Sequence, residues 1–185
     1  MPKKKLSAQL LLGPLPAAPI SCGRGGEQNI ITLAWVGVVN SSPPMVSIAV
    51  RPNRHSHKMI VESKEFVVNI PAVEQAVLVD GCGTVSGKEV NKFEHFGVTP
   101  VRGTLEHAPL IDECPISMEC LLEQTLTLGT HSLFIGRVVQ VYVDPSILDD
   151  QGKADLSRFT LLGFFSGQYL SAAPLNHPPG YTLKK

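Results

Sequence analysis

Asn29-Ile30-Ile31-Thr32-Leu33-Ala34-Trp35 is an apolar run interrupted only by small hydroxyl and amide side chains, and it carries the argument for the fold. Such a run predicts a β-strand. Alternation along a strand places Thr32 and Ala34 on one face and Leu33 and Trp35 on the other. On this segment alone, Trp35 is interpreted as a core aromatic residue and Thr32 as an ordinary strand residue.

Outside this stretch, short β-branched runs separated by glycine and proline predict a β-rich domain. Ser41-Ser42-Pro43-Pro44 is interpreted as a connection between two strands, because proline cannot serve a central ladder. Gly129-Thr130-His131-Ser132 is interpreted as the turn of a long hairpin. The predicted strands are Ala18 to Cys22, Ile30 to Val39, Met45 to Val50, Phe66 to Ile70, Ser117 to Leu128 and Leu133 to Val143.

Helical segments are fewer than strands. The predicted helices are His57 to Ser63, with Ser56 or His55 near its start, then Val73 to Cys82 and Lys88 to Phe96, the last two separated by a turn from Gly81 to Gly87. Ser146 to Ser157 is predicted to be a loop, and Pro174 to Lys185 is too rich in proline for a regular element. The fold class is therefore mainly β, a barrel or closed sheet with a few peripheral α-helices. Residues 1–185 form a single predicted domain with a proline-rich C-terminal tail from about residue 171.

Composition excludes several functional classes. The 185 residues contain 16 Lys plus Arg and 16 Asp plus Glu, so no net field favours nucleic acid or an anionic membrane. The apolar runs are shorter than the roughly 20 residues that span a bilayer. The segment Gln9 to Leu12 follows basic residues but is too short for a signal peptide, which predicts a cytoplasmic protein. Cys22, Cys82, Cys114 and Cys120 form no CxxC pair and are predicted to be free thiols.

The segment Arg51-Pro52-Asn53-Arg54-His55-Ser56 follows the strand Met45 to Val50 and is cationic. Arg51 and Arg54 can form charge-assisted bonds to a phosphate, and a helix start at Ser56 also favours an anion. An N-cap serine beside solvated arginines explains the same residues equally well. An apolar wall leading to a cationic turn suits a ligand with a ring at one end and a phosphate at the other. Flavin mononucleotide (FMN) is the simplest such ligand.

Other candidates are weaker when taken singly. The turn from Gly81 to Lys88 has small residues, two hydroxyls and a lysine that could approach a phosphate, but it lacks the P-loop pattern. Cys82 is interpreted as a packed thiol rather than a redox centre. His131 is either an acid or an ordering group for a nicotinamide or flavin, or an exposed turn residue. His55 and His57 have no accompanying carboxylate or cysteine, so no metal site is predicted.

Taken together, these segments resemble the flavin reductase-like family with an FMN-binding split β-barrel, and most closely its flavoredoxin-like branch. The resemblance covers about residues 10 to 170, and several blocks in family order carry it. The blocks are Asn29 to Trp35, Ser42-Pro43-Pro44, Ile48 to Ser56, Phe66 to Pro71, Cys82-Gly83 with Ser86-Gly87-Lys88, Asn91-Lys92-Phe93, and Gly129-Thr130-His131 with Gly136 and Val138.

The resemblance implies a homodimer that holds FMN near the subunit interface. It places Val50 and Arg51 by the ring-to-ribityl region and Ser56 at the phosphate. His131 would lie on the nicotinamide side, where Thr130 replaces the Asp of relatives that use NAD(P)H; this weakens the case for pyridine-nucleotide use. The cofactor-binding residues are then Asn29, Thr32, Ala34 and Trp35 at the ring, and Val50, Arg51, Arg54, Ser56, Cys82, Ser86, Lys88 and Lys92.

The predicted function is an FMN-binding oxidoreductase, either an NAD(P)H:flavin reductase or a flavoredoxin-type electron carrier. Its partners would be NAD(P)H, a redox protein or a small-molecule electron partner, with neither nucleic acid nor a membrane involved. Because the flavin would supply the redox chemistry, no protein acid or base is obligatory. The alternatives are a non-catalytic flavin-binding sensor or storage module, and a barrel that has lost the cofactor. The presence of Arg51, Arg54, Ser56, Ser86 and Lys88, which could together bind an anion, argues against a barrel that has lost the cofactor.

Overall fold

A computed structural model gives the fold and describes residues 1–175, 177 and 179–183. Strands and three short α-helices make up the regular structure. The strands are β1 (Leu15–Pro16), β2 (Ala18–Arg24), β3 (Glu27–Leu33), β4 (Val36–Ser41), β5 (Pro44–Val50), β6 (Glu65–Ile70), β7 (Pro100–Val101), β8 (Leu110–Ile111), β9 (Ile116–Leu128), β10 (His131–Val143), β11 (Leu161–Phe165) and β12 (Gln168–Ala172). The helices are α1 (His55–Ser63), α2 (Ala76–Thr84) and α3 (Lys92–Phe96).

Seven antiparallel strands form the main sheet in the order β3-β2-β6-β9-β10-β5-β4. The sheet curls around one core, because Ile31 near one edge and Val46 near the other pack in the same buried cluster. Phe66 and Phe134 are fully buried at its centre, and α1 contributes Met59 to the same cluster. The predicted class, a mainly β split barrel with a few peripheral helices, is confirmed.

The chain crosses from one edge of this sheet to the other at Ala34 and Trp35. Leu33 is the last residue of β3 to pair with β2, and Val36 is the first residue of β4 to pair with β5. The prediction of a single strand from Ile30 to Val39 is therefore wrong. The apolar pattern runs through the break because both edges face the same core, so periodicity could not reveal it.

Helix boundaries differ from the sequence prediction at several points. The helix predicted from His57 begins two residues earlier, at His55. A 3-10 turn at Val73–Gln75 precedes α2, which continues through the glycines predicted to form a turn and ends at Thr84. The helix predicted from Lys88 begins only at Lys92, because Asn91 caps it by accepting a hydrogen bond from the N–H of Phe93.

Three smaller features complete the fold. His131 is the first residue of β10 and not a turn residue; only Gly129 and Thr130 connect β9 to β10. The loop predicted from Ser146 overlaps a 3-10 turn at Pro145–Ile147. β12 runs to Ala172 inside the predicted tail, and a further 3-10 turn spans Tyr181–Leu183. Four residues of the predicted tail lie outside the described residues: Asn176, Pro178, Lys184 and Lys185.

The four cysteines are free and buried, as predicted. Burial raises the pKa of the Cys22, Cys114 and Cys120 thiols to about 12, so these groups stay protonated and behave as small apolar side chains. Among the helices in the described part of the chain, none is long and apolar enough to cross a membrane.

Gly136 provides a test of the core. A Cβ at this position of β10 would lie 2.7 Å from Phe66 Cε1 and 3.1 Å from the Cys120 Cβ, and both neighbours are fully buried. Gly136→Ala is therefore expected to lower the free energy of unfolding by about 1–3 kcal/mol through overpacking. Chemical denaturation measures the change. Gly37→Ala in β4 is the control, since its nearest atom is 4.0 Å away; an equal loss in both variants would contradict the packing argument.

Candidate functional site

Two adjoining cavities form one cleft between the barrel, α1 and α2. They share Ile31, Arg54 and Gly83 in their walls. The first, the α1 cavity, has a volume of about 120 Å³ and is lined by Asn29, Ile31, Asn53, Arg54, His55, Ser56, Cys82, Gly83, Val85, Ser86, Gly87, Lys88 and Lys92. The second, the hairpin cavity, has a volume of about 190 Å³ and is lined by Ile31, Thr32, Leu33, Ala49, Arg51, Arg54, Gly83 and His131.

The N-terminus of α1 forms one wall of the α1 cavity. Ser56 is only 1% exposed and its hydroxyl accepts a hydrogen bond from Asn29 Nδ2 at 2.8 Å. Ser56 is not the N-cap residue; Arg54 occupies that position and its side chain makes no capping bond. A helix leaves the N–H groups of its first turn without intrahelical partners, and its dipole is positive at this end. The wall therefore favours an anion.

The turn between α2 and α3 forms the opposite wall of the α1 cavity. The Ser86 hydroxyl accepts a bond from the N–H of Lys88 at 3.3 Å, while the Lys88 side chain is exposed. Gly87 packs against the Asn29 amide so closely that an added Cβ would lie 2.6 Å from Asn29 Cγ. The glycine is thus required by a contact with β3 and not by the conformation of the turn.

Lys92 is 3% exposed and lies behind the same cavity. Its Nζ donates to the carbonyl of Ile30 at 2.7 Å and to the carbonyl of Cys82 at 2.6 Å. Burial lowers the pKa of this ammonium, and the positive charge of Arg54 lowers it further. The side chain fastens the last turn of α2 to β3. The two carbonyls leave at most one of its three donors for a ligand.

Arg51, His131 and Trp35 surround the mouth of the hairpin cavity. The indole of Trp35 packs against the His131 ring with centroids 4.5 Å apart and the ring planes tilted by 39°, and His131 Nδ1 lies 2.8 Å from the Thr130 hydroxyl. Burial lowers the pKa of His131, and the nearby guanidinium of Arg51 acts in the same direction. His131 is therefore neutral at pH 7, with Nε2 as the nitrogen left for a ligand.

The cleft differs in charge from the larger depressions of the surface. Two open depressions of about 690 and 560 Å³ contain acidic residues, among them Glu27, Glu89 and Glu106. Neither the α1 cavity nor the hairpin cavity has an aspartate or glutamate among its described lining residues. Glu27 is paired with the lining residue His55, whose Nε2 contacts the carboxylate at 2.7 Å, and that hydrogen bond lowers the pKa of Glu27. The cleft therefore attracts anions, although it is the smaller space.

Comparison with known proteins identifies the family of the chain. A family model described as a flavin reductase like domain matches residues 14–172, which is most of the chain. The chain belongs to the flavin reductase-like family. This confirms the family to which the sequence was likened, and it makes the chain a flavin-associated oxidoreductase.

Individual members of the flavin reductase-like family are similar over nearly the whole chain. The structure of flavoredoxin of Desulfovibrio vulgaris (Miyazaki F) matches with a TM-score of 0.91 and 29% identity, covering 98% of this chain and 100% of that one. Flavoredoxin from Methanosarcina acetivorans matches with a TM-score of 0.86 and 30% identity, covering 99% and 100%. An uncharacterised protein of Archaeoglobus fulgidus is 33% identical over 77% of this chain and 80% of its own length.

The structure brings together most residues that the family resemblance nominated. Those lining the α1 cavity are Asn29, Arg54, Ser56, Cys82, Ser86, Lys88 and Lys92, and those lining the hairpin cavity include Thr32, Arg51 and His131. Three nominated side chains line neither cavity. Val50 packs in the barrel core, Ala34 lies in the crossing between the sheet edges, and Trp35 stands at the rim against His131.

Other residues of the site carried little or no sequence signal. Ile31 and Ala49 look like ordinary strand residues, and Gly83 lies in a helix where glycine is unfavourable. The structure gives a reason for the glycine at this position. A Cβ at Gly83 would lie 3.3 Å from the Thr32 Cβ, so the helix approaches β3 closely here. Burial raises the pKa of the Cys82 thiol to about 11, so it presents a neutral wall. The described residues contain no group of three or more His, Cys, Asp or Glu side chains placed to hold a metal.

Gly87→Ala tests whether the α1 cavity depends on the contact with Asn29. The new methyl group would displace the buried Asn29 amide and weaken its bond to Ser56, so anion binding at α1 should weaken by about 5- to 30-fold, or roughly 1–2 kcal/mol. Titration with FMN, the anionic flavin that the sequence predicts, measures the loss. Gly37→Ala again serves as the control. Unchanged affinity in Gly87→Ala would contradict a role for the Asn29–Ser56 pair.

Proposed function

We propose that the chain binds FMN in this cleft and passes electrons through it. The observation that carries the proposal is that the α1 cavity, which favours an anion, continues through Ile31, Arg54 and Gly83 into a second cavity with apolar side chains in part of its wall. FMN has the matching form, because a flexible ribityl chain joins its phosphate to its ring. The names of the similar flavoredoxin structures support the same cofactor.

The residues of the α1 cavity fit a phosphate. The first turn of α1, the Ser56 hydroxyl and the side chains of Arg54 and Lys88 supply donors, and no carboxylate among the described lining residues opposes a dianion. Neither Arg54 nor Lys88 has an ion-pair partner in the described part of the chain. Their charges are therefore available to a ligand, and each charge-assisted bond contributes about 1.5–3 kcal/mol.

The residues of the hairpin cavity fit a flavin ring. Ile31, Leu33 and Ala49 provide apolar walls on two strands that lie at or beside opposite edges of the sheet. β3 is an edge strand, so one row of its backbone N–H and C=O groups faces away from β2. These groups can pair with the donors and acceptors at the pyrimidine end of the ring, as the sequence predicted for the segment Asn29 to Trp35.

Bound FMN would supply one- and two-electron redox chemistry, and the protein would bind, orient and tune it. The first turn of α1 with Ser56 and Arg54 would hold the phosphate, and Ile31, Leu33 and Ala49 would provide apolar contacts to the ring. No paired carboxylates and no deprotonated thiol line the described part of the cleft, so proton transfer to a protein group is not required. A flavoredoxin-type electron carrier is the favoured mode, because Thr130 replaces the aspartate found beside the histidine in NAD(P)H-using relatives.

An NAD(P)H:flavin reductase is the second candidate, supported by the position of His131 at the cavity mouth. One experiment separates the possibilities. Purified protein is titrated with FMN and then mixed anaerobically with NADH or NADPH in a stopped-flow spectrometer. Failure to bind FMN would contradict both modes. Rapid bleaching by a nicotinamide nucleotide would identify a reductase, whereas bleaching only by other reductants supports the carrier. Turnover with any acceptor excludes the sensor or storage alternative.

We also infer a homodimer. On the outer face of the β9–β10 hairpin, Leu126 and Leu128 are 45% and 57% exposed, and strand register places Leu133 and Ile135 on the same face. We call these four residues the hairpin face. His131 lies on this face too, so a second copy that covers it would border the hairpin cavity. Analytical ultracentrifugation tests the dimer: the wild type is expected to sediment as a dimer, and Leu126→Lys as a monomer.

The cytoplasmic location stays a prediction from the sequence.

A further inference from the structure

The positive charge of the cleft exceeds what the phosphate of FMN requires. Arg51, Arg54, Lys88 and Lys92 line its two cavities, and no described lining residue is acidic. A phosphate monoester carries about −1.5 to −2 charges at pH 7. Two of the four cations therefore suffice to neutralise it, and a third is available in Lys92 behind the α1 cavity.

Arg51 is the surplus cation, because the fold separates it from the other three. Arg51 lines only the hairpin cavity, whereas Lys88 and Lys92 line only the α1 cavity and Arg54 lines both. The turn in which the N–H of Arg54 donates to the carbonyl of Arg51 at 3.0 Å accounts for this divergence. Arg51 is exposed and forms no ion pair with a described residue. By contrast, Arg24, Arg137 and Arg158 are each paired with a carboxylate.

The surroundings of Arg51 have no negative charge and an aromatic wall. The neutral hydroxyl of Thr130 contacts His131 Nδ1 at 2.8 Å. An aspartate at position 130 would have partly neutralised the positive charge of the Arg51 guanidinium. Trp35 is 43% exposed and packs against the His131 ring at a tilt of 39°. A cation beside neutral imidazole and an exposed indole forms a site for a ligand that is both anionic and aromatic.

We propose that Arg51, His131 and Trp35, which we call the Arg51 subsite, select a small aromatic anion as the electron partner. The carboxylate or sulfonate of that partner binds the Arg51 guanidinium, and its conjugated body lies against Trp35 at the mouth of the hairpin cavity. This inference rests on the proposed function and adds the chemical class of the partner. It assigns Arg51 to partner recognition and leaves the phosphate of FMN to Arg54, Ser56 and Lys88.

Direct binding is measured first, without redox chemistry. Trp35 is the single tryptophan of the chain, so its emission reports on the subsite. Benzoate is expected to change the emission of the FMN-loaded protein in a saturable manner, while benzamide, the neutral analogue, does not. Arg51→Ala should lose at least about 10-fold in benzoate affinity. Arg102→Ala is the matched control, since it removes an exposed arginine far from the cleft.

Electron transfer gives the second measurement. FMN-loaded protein is reduced anaerobically and mixed with naphthoquinone-2-sulfonate or with menadione, each of which accepts the two electrons of one reduced flavin. Arg51→Ala should lower the rate constant for the sulfonate by about 10-fold and change that for menadione by less than about 2-fold. Raising the salt concentration should slow the sulfonate reaction of the wild type but not that of Arg51→Ala.

The outcomes are separable. The Arg51 subsite would be overturned if Arg51→Ala lowered the rate constants for both quinones equally. It would also be overturned if Arg102→Ala lowered the benzoate affinity or the sulfonate rate constant as much as Arg51→Ala does. Loss of FMN from Arg51→Ala under conditions where Arg102→Ala retains it would also overturn it, by making Arg51 a cofactor ligand. A wild-type protein that takes up no FMN contradicts the proposed function itself. In that case benzoate binding reported by Trp35 still tests the subsite.

Discussion

Replacing Arg54 with alanine is expected to weaken FMN binding by about 10- to 100-fold, because a charge-assisted bond to the phosphate contributes about 1.5–3 kcal/mol. Riboflavin, which lacks the phosphate, should lose less than about 3-fold. The fold should survive, since the side chain of Arg54 makes no capping bond to α1 and is exposed. Quenching of flavin fluorescence on titration with each ligand measures the two affinities.

The companion variant Arg51→Ala sharpens this experiment. Arg51 lies outside the α1 cavity and is assigned to the electron partner, so its removal should leave the affinities for FMN and for riboflavin close to those of the wild type. Arg102→Ala controls for the change in net charge. The assignment of the phosphate to the α1 cavity would be wrong if Arg54→Ala lowered the affinities for FMN and riboflavin equally. It would also be wrong if Arg51→Ala lowered the affinity for FMN more than that for riboflavin.

Lys92→Met is expected to lower the free energy of unfolding by about 2–3 kcal/mol. The substitution keeps the length of the side chain but leaves the carbonyls of Ile30 and Cys82 without their donor, and each buried unsatisfied group costs about 1–3 kcal/mol, partly offset by removal of a buried charge. For a chain of this length the change corresponds to a fall in Tm of about 4–12 °C. Thermal and urea denaturation in the absence of flavin measure it.

Lys88→Met is the matched control for that variant. It removes the same charge from the same cavity, but Lys88 is exposed and donates no side-chain bond to a described residue. Lys88→Met should therefore weaken FMN and leave unfolding of the flavin-free protein within about 0.5 kcal/mol. Equal stability of Lys92→Met and Lys88→Met would show that Lys92 does not fasten α2 to β3.

The sequence predicted the fold class because strand periodicity is a local property. It failed at Ala34 and Trp35 because both edges of a curled sheet bury the same face, and the alternation therefore continues where the chain changes edges. It also failed at Lys88, since a helix start depends on a capping contact and Asn91 makes that contact instead. The break at Ala34 and Trp35 is not visible without knowing which strands are neighbours, whereas the cap at Asn91 is a local contact.

The candidate site was predictable to a similar degree. The segment from Arg51 to Ser56 carries its own chemistry and points to an anion. The division of this segment is not predictable, because a single turn confines Arg51 to the hairpin cavity while Arg54 reaches both cavities. The burial of Lys92 is likewise a tertiary effect, since lysine is seldom fully buried. The contact of Gly87 with Asn29 joins residues from distant parts of the chain, and spacing alone could not reveal it.

The shared wall of Ile31, Arg54 and Gly83 makes the cleft a bivalent receptor. Once one end of a tethered ligand is held, the other end is presented at an effective concentration set by the linker and not by the solution. Avidity of this kind favours a whole mononucleotide over separate ring and phosphate fragments, although each cavity is small. Once either end of the ligand loosens, the other end is held only by its own weak affinity.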